Sequence, residues 1–215
     1  MRIYEVCVGK PTTVHHRGKD VSTGVFKSPV TATVEAKLLN LTGDGQADLR
    51  VHGGRDKAIY VYPRVHYEYW AAKLAGRELE SSQFGENITV DGASEEEVVI
   101  GDRYRVGSVR VFVTQPRLPC FKLGIRMNDP DFPALFLQSG RLGFYLRVEE
   151  EGSLRRGDEF ELIERPAHGM SVQSLWTSVF GQMPDAEAAR QALQLLPHLD
   201  QGWKRRLRAV GSRSR

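Results

Sequence analysis

The sequence predicts a mainly β protein. It reads as a barrel-like body, a barrel or a folded-over sheet, of short, mostly antiparallel strands with a few helices, plus a small C-terminal segment of three helices. Three observations predict it. Val109, Val111 and Val113, and again Phe144, Leu146 and Val148, recur at every second residue, the period of a strand with one buried face. Gly-Asp-Arg-Tyr at 101–104 and Gly-Asp-Glu-Phe at 157–160 repeat a turn that feeds a strand. Beyond Arg165-Pro166-Ala167-His168-Gly169 the apolar spacing turns helical and stays so.

In chain order, residues 3–8 form a β-prone edge. Val30, Ala32, Val34, Ala36 and Leu38 alternate with Thr31, Thr33, Glu35 and Lys37, which predicts one half-buried strand over 30–38. Residues 62–74 carry Val65, Tyr69 and Ala72 at helical spacing with Pro63 near the first turn, which predicts one helix against the β body. The strands at 109–113 and 144–148 follow, and residues 160–163 form a second edge. Three short helices are expected over 171–180, 185–196 and 200–210, with Pro184 and Pro197 as start and stop signals. Helices of about ten residues do not stand alone in water, so these must pack on each other or on the body. The chain thus divides into a β body, 1–165, and a helical extension, 166–215.

Composition excludes several classes. A chain of 215 residues buries enough surface to hold a core without disulfides or metal clips. Two cysteines are too few for a four-thiolate zinc site or a standard iron–sulfur cluster. No apolar run approaches the roughly 18–20 residues that span a bilayer, and the charged start Met1-Arg2-Ile3-Tyr4-Glu5 is too polar for a signal peptide. A soluble cytoplasmic protein with free thiols is the expectation. The formal charge of +3 is uneven: Lys204, Arg205, Arg206, Arg208, Arg213 and Arg215 follow Trp203 with no acidic residue among them, and the rest of the chain carries −3. That basic tail reads as a solvated, fraying end, with nucleic acid an unlikely partner.

Phosphate-loop, dinucleotide, nucleophile-elbow and His-Glu-x-x-His patterns are absent, and the six histidines are scattered. What remains sits in a few places. Gly43-Asp44-Gly45-Gln46-Ala47-Asp48 and His52-Gly53-Gly54-Arg55-Asp56-Lys57 form a glycine-rich stretch whose backbone N–H groups, beside His52 and Lys57, suit an anion; a plain surface loop has the same residues. Gln115-Pro116-Arg117-Leu118-Pro119-Cys120-Phe121-Lys122 follows a strand, and Arg117 and Lys122 bracket the thiol, a setting that favours thiolate, nucleophile and soft metal ligand alike. Cys7, inside a strand with no cation next to it, reads as a buried structural thiol. Arg141, in the turn Ser139-Gly140-Arg141-Leu142-Gly143, gains meaning if the fold brings it near Cys120, because a guanidinium grips phosphate bidentately. Asn87, in Phe84-Gly85-Glu86-Asn87, offers an amide for a heterocycle edge, or belongs to a plain hairpin turn.

Taken together these segments resemble the MOSC domain (molybdenum cofactor sulfurase C-terminal domain), in its YiiM-like branch. The matching stretches are Gly24-Val25-Phe26-Lys27-Ser28-Pro29-Val30, residues 43–70, Phe84-Gly85-Glu86-Asn87, Ile100-Gly101-Asp102, residues 115–124 and residues 139–148, in family order across about residues 1–165. The helical extension also resembles that branch. Arg55 stands where many relatives carry proline. The resemblance implies a strand-rich, barrel-like fold with a cleft for molybdenum cofactor; pyridoxal phosphate binding is associated with the family only in general. It implies Cys120 as a molybdenum ligand or persulfide carrier, and Arg117, Arg141, Lys57 and the turn His52, Gly53, Gly54 for pterin and phosphate. Asn87 is implied for the pterin, and Lys27 is a further candidate. The implied activity is reduction of N-hydroxylated compounds such as hydroxylamino-purines, a detoxification. The chain has no flavin or iron–sulfur motif, so an external reductase supplies the electrons. The alternative is a sulfur carrier with a Cys120 persulfide loaded by a cysteine desulfurase.

Overall fold

The computed structural model describes residues 1–47, 53–92 and 94–212. Its strands are β1 (Arg2–Val8), β2 (Thr12–His16), β3 (Lys19–Thr23), β4 (Ser28–Val30), β5 (Val34–Ala36), β6 (Ile59–Pro63), β7 (Ile88–Asp91), β8 (Arg103–Val106), β9 (Val109–Pro116), β10 (Phe144–Glu150), β11 (Gly152–Leu154) and β12 (Phe160–Glu164). The helices are α1 (Val65–Lys73), α2 (Phe121–Met127), α3 (Phe132–Ser139), α4 (Val172–Phe180), α5 (Ala186–Leu195) and α6 (Gln201–Gly211), with a 3₁₀ turn at Arg55–Lys57.

Eight strands form one sheet in the order β12-β8-β9-β10-β6-β7-β1-β4, antiparallel except for the parallel pair β6–β7. That order has two ends, so the sheet is not the closed barrel that the turn pattern suggested. The start of β1 is instead seated on the turn before β12: Ile3 N donates to Asp158 O, Gly157 N to Ile3 O and Phe160 N to Met1 O, each at 2.9 Å. The echoed Gly-Asp turns diverge in environment. Asp102 is fully buried and accepts from Arg165 (2.9 and 2.7 Å), Val99 N (3.0 Å) and Tyr104 Oη (2.9 Å), whereas Asp158 accepts from its own turn at Arg155 N (2.9 Å).

The central strands are buried on both faces, and their period of two sorts side chains into two cores. Ile59 and Val61 of β6 join Val111, Val113, Phe144 and Leu146 on one side. Tyr60 and Tyr62 join Trp70, Phe84, Phe132 and Phe136 on the other. The first core runs on into Leu175, Ala192, Trp203 and Leu207, so residue 166 marks a change of secondary structure within one continuous apolar interior.

Three expectations need correction. The strand expected over 30–38 is two short pieces, because β4 pairs with β1 while β5 crosses to pair with β11; Leu38 is exposed. The helix expected from Tyr62 begins at Val65, because Tyr62 and Pro63 still pair with Thr89 and Val90 of β7. The basic end does not fray through Gly211. In α6, Trp203, Leu207 and Val210 are buried at helical spacing, while of the basic residues between them Arg205 and Arg208 are exposed and Lys204 and Arg206 half-buried. Helices α2 and α3 add to the expected elements; Leu123/Met127 and Phe132/Phe136 carry the four-residue spacing and Pro133 lies in the first turn of α3.

The shared core has a measurable consequence. Trp203 has no exposed surface, and its Nε1 donates to Pro116 O at 2.9 Å. Trp203→Ala is expected to cost about 3–5 kcal/mol and to move a single cooperative urea transition followed by both far-UV dichroism and tryptophan emission. Separate transitions for strands and helices would show that the core is not shared.

Candidate functional site

The site grows from one row of the sheet. Tyr145 of β10 lies directly opposite Tyr60 of β6 and Gln115 of β9, so the three side chains share a face. The turn entering β10 needs glycine: Gly143 has φ 65°, and a Cβ there would lie 2.3 Å from Val61 O. Glu95 holds that turn by accepting from Gly143 N (2.8 Å) while pairing with buried His66 (2.6 Å).

Two adjoining chambers open over this row. The inner one, about 110 Å³, is lined by Lys27, Asp44, Asn87, Arg117, Lys122 and the Gly24 and Gly45 backbones, among others. The outer one, about 670 Å³, lies between the 53–57 turn and residues 198–206. Lys57, Leu118, Cys120 and Tyr145 line both. Cys120 is half-buried, in extended backbone just before α2, with its carbonyl accepting from Leu123 N at 2.9 Å.

Arg117 stands behind Cys120. Its guanidinium is buried, donates to Phe84 O (2.5 Å) and Tyr60 Oη (3.4 Å), and lies over the rings of Tyr60 (4.7 Å) and Phe136 (5.6 Å), close enough to interact electrostatically with Cys120. Lys57 pairs with Asp200 at 2.7 Å and sits 5.9 Å over the Tyr145 ring. Burial would raise the Asp200 carboxyl, but the Lys57 ammonium and donors from Trp203 N and Gln115 outweigh it and hold the group below the usual carboxylate range. Burial pushes the Tyr145 phenol above its ordinary value against the opposing pull of Arg117 and Lys57, so it keeps its proton at neutral pH. Among the described residues the Tyr145 hydroxyl makes no hydrogen bond.

The other sequence-derived candidates have distinct placements. Lys27 pairs with Asp44 under the inner chamber. Asn87 spends its amide on the protein: its carbonyl accepts from Tyr60 N (3.1 Å), and its amino group donates to Asp44 Oδ2 (2.9 Å) and Cys7 O (3.3 Å). Gly53 and Gly54 line the outer chamber, and Gly54 N donates to Gln46 Oε1 at 2.8 Å. Arg141 lines neither chamber. The left-handed Gly140 turns it onto the Tyr69 ring at 3.9 Å, where it also donates to Ser139 O. His52 lies outside the described residues. Cys7 is buried, and burial, reinforced by Glu5 and Glu86, pushes its thiol up to about 12.

Sequence reading missed Tyr145, Tyr60, Asp44 and Asp200. Tyr145 had a signal, an aromatic on the polar side of an alternating strand. Asp200 had only that of a helix start.

The donor set suits a molybdenum carried by a pterin dithiolene. A soft thiol lines both chambers, Arg117, Lys57 and Lys122 supply charge for an anionic group, and Gly24 and Gly45 let backbone close in where a Cβ on Gly24 would lie 2.8 Å from Gly45 O. Among the described residues no group of three or more His, Cys, Asp or Glu could hold a metal ion. No helix among them is long and apolar enough to cross a membrane.

Known proteins share this architecture. The chain is 45% identical over 166 residues to the uncharacterized protein YflK of Bacillus subtilis, covering 77% of this chain and 75% of that one. It is 32% identical over 158 residues to a protein of Gibberella moniliformis named reductase, covering 72% of this chain but 28% of that longer one. The crystal structure of YiiM from Geobacillus stearothermophilus superposes with a TM-score of 0.78 at 32% identity, over 97% of this chain and 98% of that one. The MOSC domain model matches residues 48–161, just over half the chain and the stretch that supplies Lys57, Asn87, Arg117, Cys120 and Tyr145. On this family model, the relatives and the shared fold, the chain belongs to the MOSC domain family, in its YiiM-like branch.

Proposed function

We propose that the protein binds molybdenum cofactor in this cleft and reduces N-hydroxylated compounds, hydroxylamino-purines among them, with electrons from an external reductase. The observation that carries the reading is a single thiol, Cys120, on the wall common to both chambers and backed by the buried Arg117. Membership of the MOSC family and likeness to a protein named reductase support an oxidoreductase.

Each reduction takes two electrons and two protons, breaks the N–O bond and releases the oxygen as water. The cofactor, when bound, supplies the two-electron chemistry at molybdenum. Cys120 would offer that metal a thiolate, Arg117 and Lys122 would balance the negative charge of pterin phosphate and sulfur, and Lys57, paired with Asp200, would donate a hydrogen bond there. Asp44 and Asn87 hold the inner wall rigid through Lys27 and Cys7 O, which pre-orients the cavity. Tyr145 Oη holds a proton on the wall that substrate and thiol share and donates it to the departing oxygen.

Two experiments test these roles. Cys120→Ser is expected to abolish molybdenum retention, read by elemental analysis, and N-hydroxylamine reduction, whereas Cys7→Ser leaves both largely intact; equal behaviour of the two variants overturns the assignment. Tyr145→Phe is expected to retain molybdenum and lower kcat by about 10²-fold, with little change in KM. Unchanged turnover in that variant removes Tyr145 as the proton donor.

A further inference from the structure

The outer chamber carries charge that the chemistry at Cys120 does not use. Its volume of about 670 Å³ falls in the range of small-molecule sites. Cys120 and Tyr145 form part of its wall. Two carboxylates line it, and both are already balanced: Asp56 accepts from Arg147 Nε at 2.6 Å, and Asp200 pairs with Lys57 at 2.7 Å. Arg55 on one wall and Arg205 and Arg206 on the other also line it. Among the described residues none of these three has a carboxylate within ion-pair distance.

Of these arginines Arg55 and Arg205 are exposed at the rim, and Arg206 is the most enclosed. Arg206 is half-buried, tied back to Gly202 O (3.0 Å), and lies 6.0 Å over the Phe180 ring. Arg205 precedes it on α6, whose position is set by buried Trp203 and Leu207. Arg55 opens the 3₁₀ turn that ends at Lys57. Guanidinium groups facing a chamber from opposite walls, with no carboxylate of their own, match a dianion with several acceptor oxygens.

We infer that the outer chamber is a phosphate-monoester site, and that the substrate is an N-hydroxylated nucleoside phosphate held by Arg55, Arg205 and Arg206 with its base directed to Cys120. The substrate's base rests on the function proposed above; the phosphate site does not. The cofactor also carries a phosphate, so the test separates the two sources.

The probes are adenosine 5′-monophosphate and adenosine, titrated calorimetrically into the full-length protein. The monophosphate is expected to bind at least about tenfold more tightly, equivalent to about 1.4 kcal/mol. Arg205→Ala/Arg206→Ala together, and Arg55→Ala alone, are expected to bring that ratio towards one while molybdenum content stays at the wild-type level. Equal affinities in the wild type, or a ratio unchanged in both variants, overturn the inference. Loss of molybdenum in the variants also overturns it, by assigning the arginines to the cofactor's phosphate. Should the double variant fail to fold, Arg55→Ala, on an exposed turn, decides alone. Monophosphate binding as stated, in a protein that does not reduce hydroxylamino-purines, supports the site and refutes only the function proposed above.

Discussion

The carboxylate of Asp200 joins the two halves of the molecule at the site. It caps α6 by accepting from Trp203 N (2.8 Å), pairs with Lys57 (2.7 Å) and accepts from Gln115 Nε2 (3.1 Å), while its own N–H donates to Gln115 Oε1 (2.9 Å). One side chain thus satisfies a helix terminus, neutralises a half-buried ammonium and bonds reciprocally to a buried amide of the sheet. Together with Trp203 Nε1 donating to Pro116 O, that tie sets α6 against β9 and so places the wall bearing Arg205 and Arg206. The helical segment lines the outer chamber for this reason.

Two-sided burial of the central sheet supplies the other constraint. Strands β6 and β10 cannot slip by one residue, since a slip would exchange Ile59 and Val61 with Tyr60 and Tyr62 between two differently shaped cores. The aromatic core is the more specialised. It surrounds the Arg117 guanidinium with ring faces and a carbonyl, so a permanent charge sits out of water within reach of the thiol. The same face presents Tyr60 and Tyr145 to the inner chamber.

The two thiols show how placement, not residue type, decides chemistry. Cys7 is enclosed in β1 beside Glu5 and Glu86, and its sulfur stays protonated and inert. Cys120 follows a strand end and Pro119, at the junction of two chambers, with Arg117, Lys57 and Lys122 lining the same space. Of the two, Cys120 is the one that lines the chambers.

Much of this was legible in the sequence because it is local. Alternation at 109–113 and 144–148 marks strands, since the period of a pleat is set by neighbouring residues. Ser171, Asp185 and Asp200 mark helix starts because a cap reaches only two or three residues ahead. The Pro119-Cys120 segment with its flanking cations, and six motifs in family order, pointed to the cleft. The crossing of β5, the open order of the sheet and the departure of Arg141 to Tyr69 were decided by tertiary structure, because each depends on a partner far along the chain. Charge shows the division most clearly. The sequence counts six basic residues after Trp203, but a count has no direction. Only burial of Trp203 and Leu207 rotates α6 so that Arg205 and Arg206 face the chamber of Cys120.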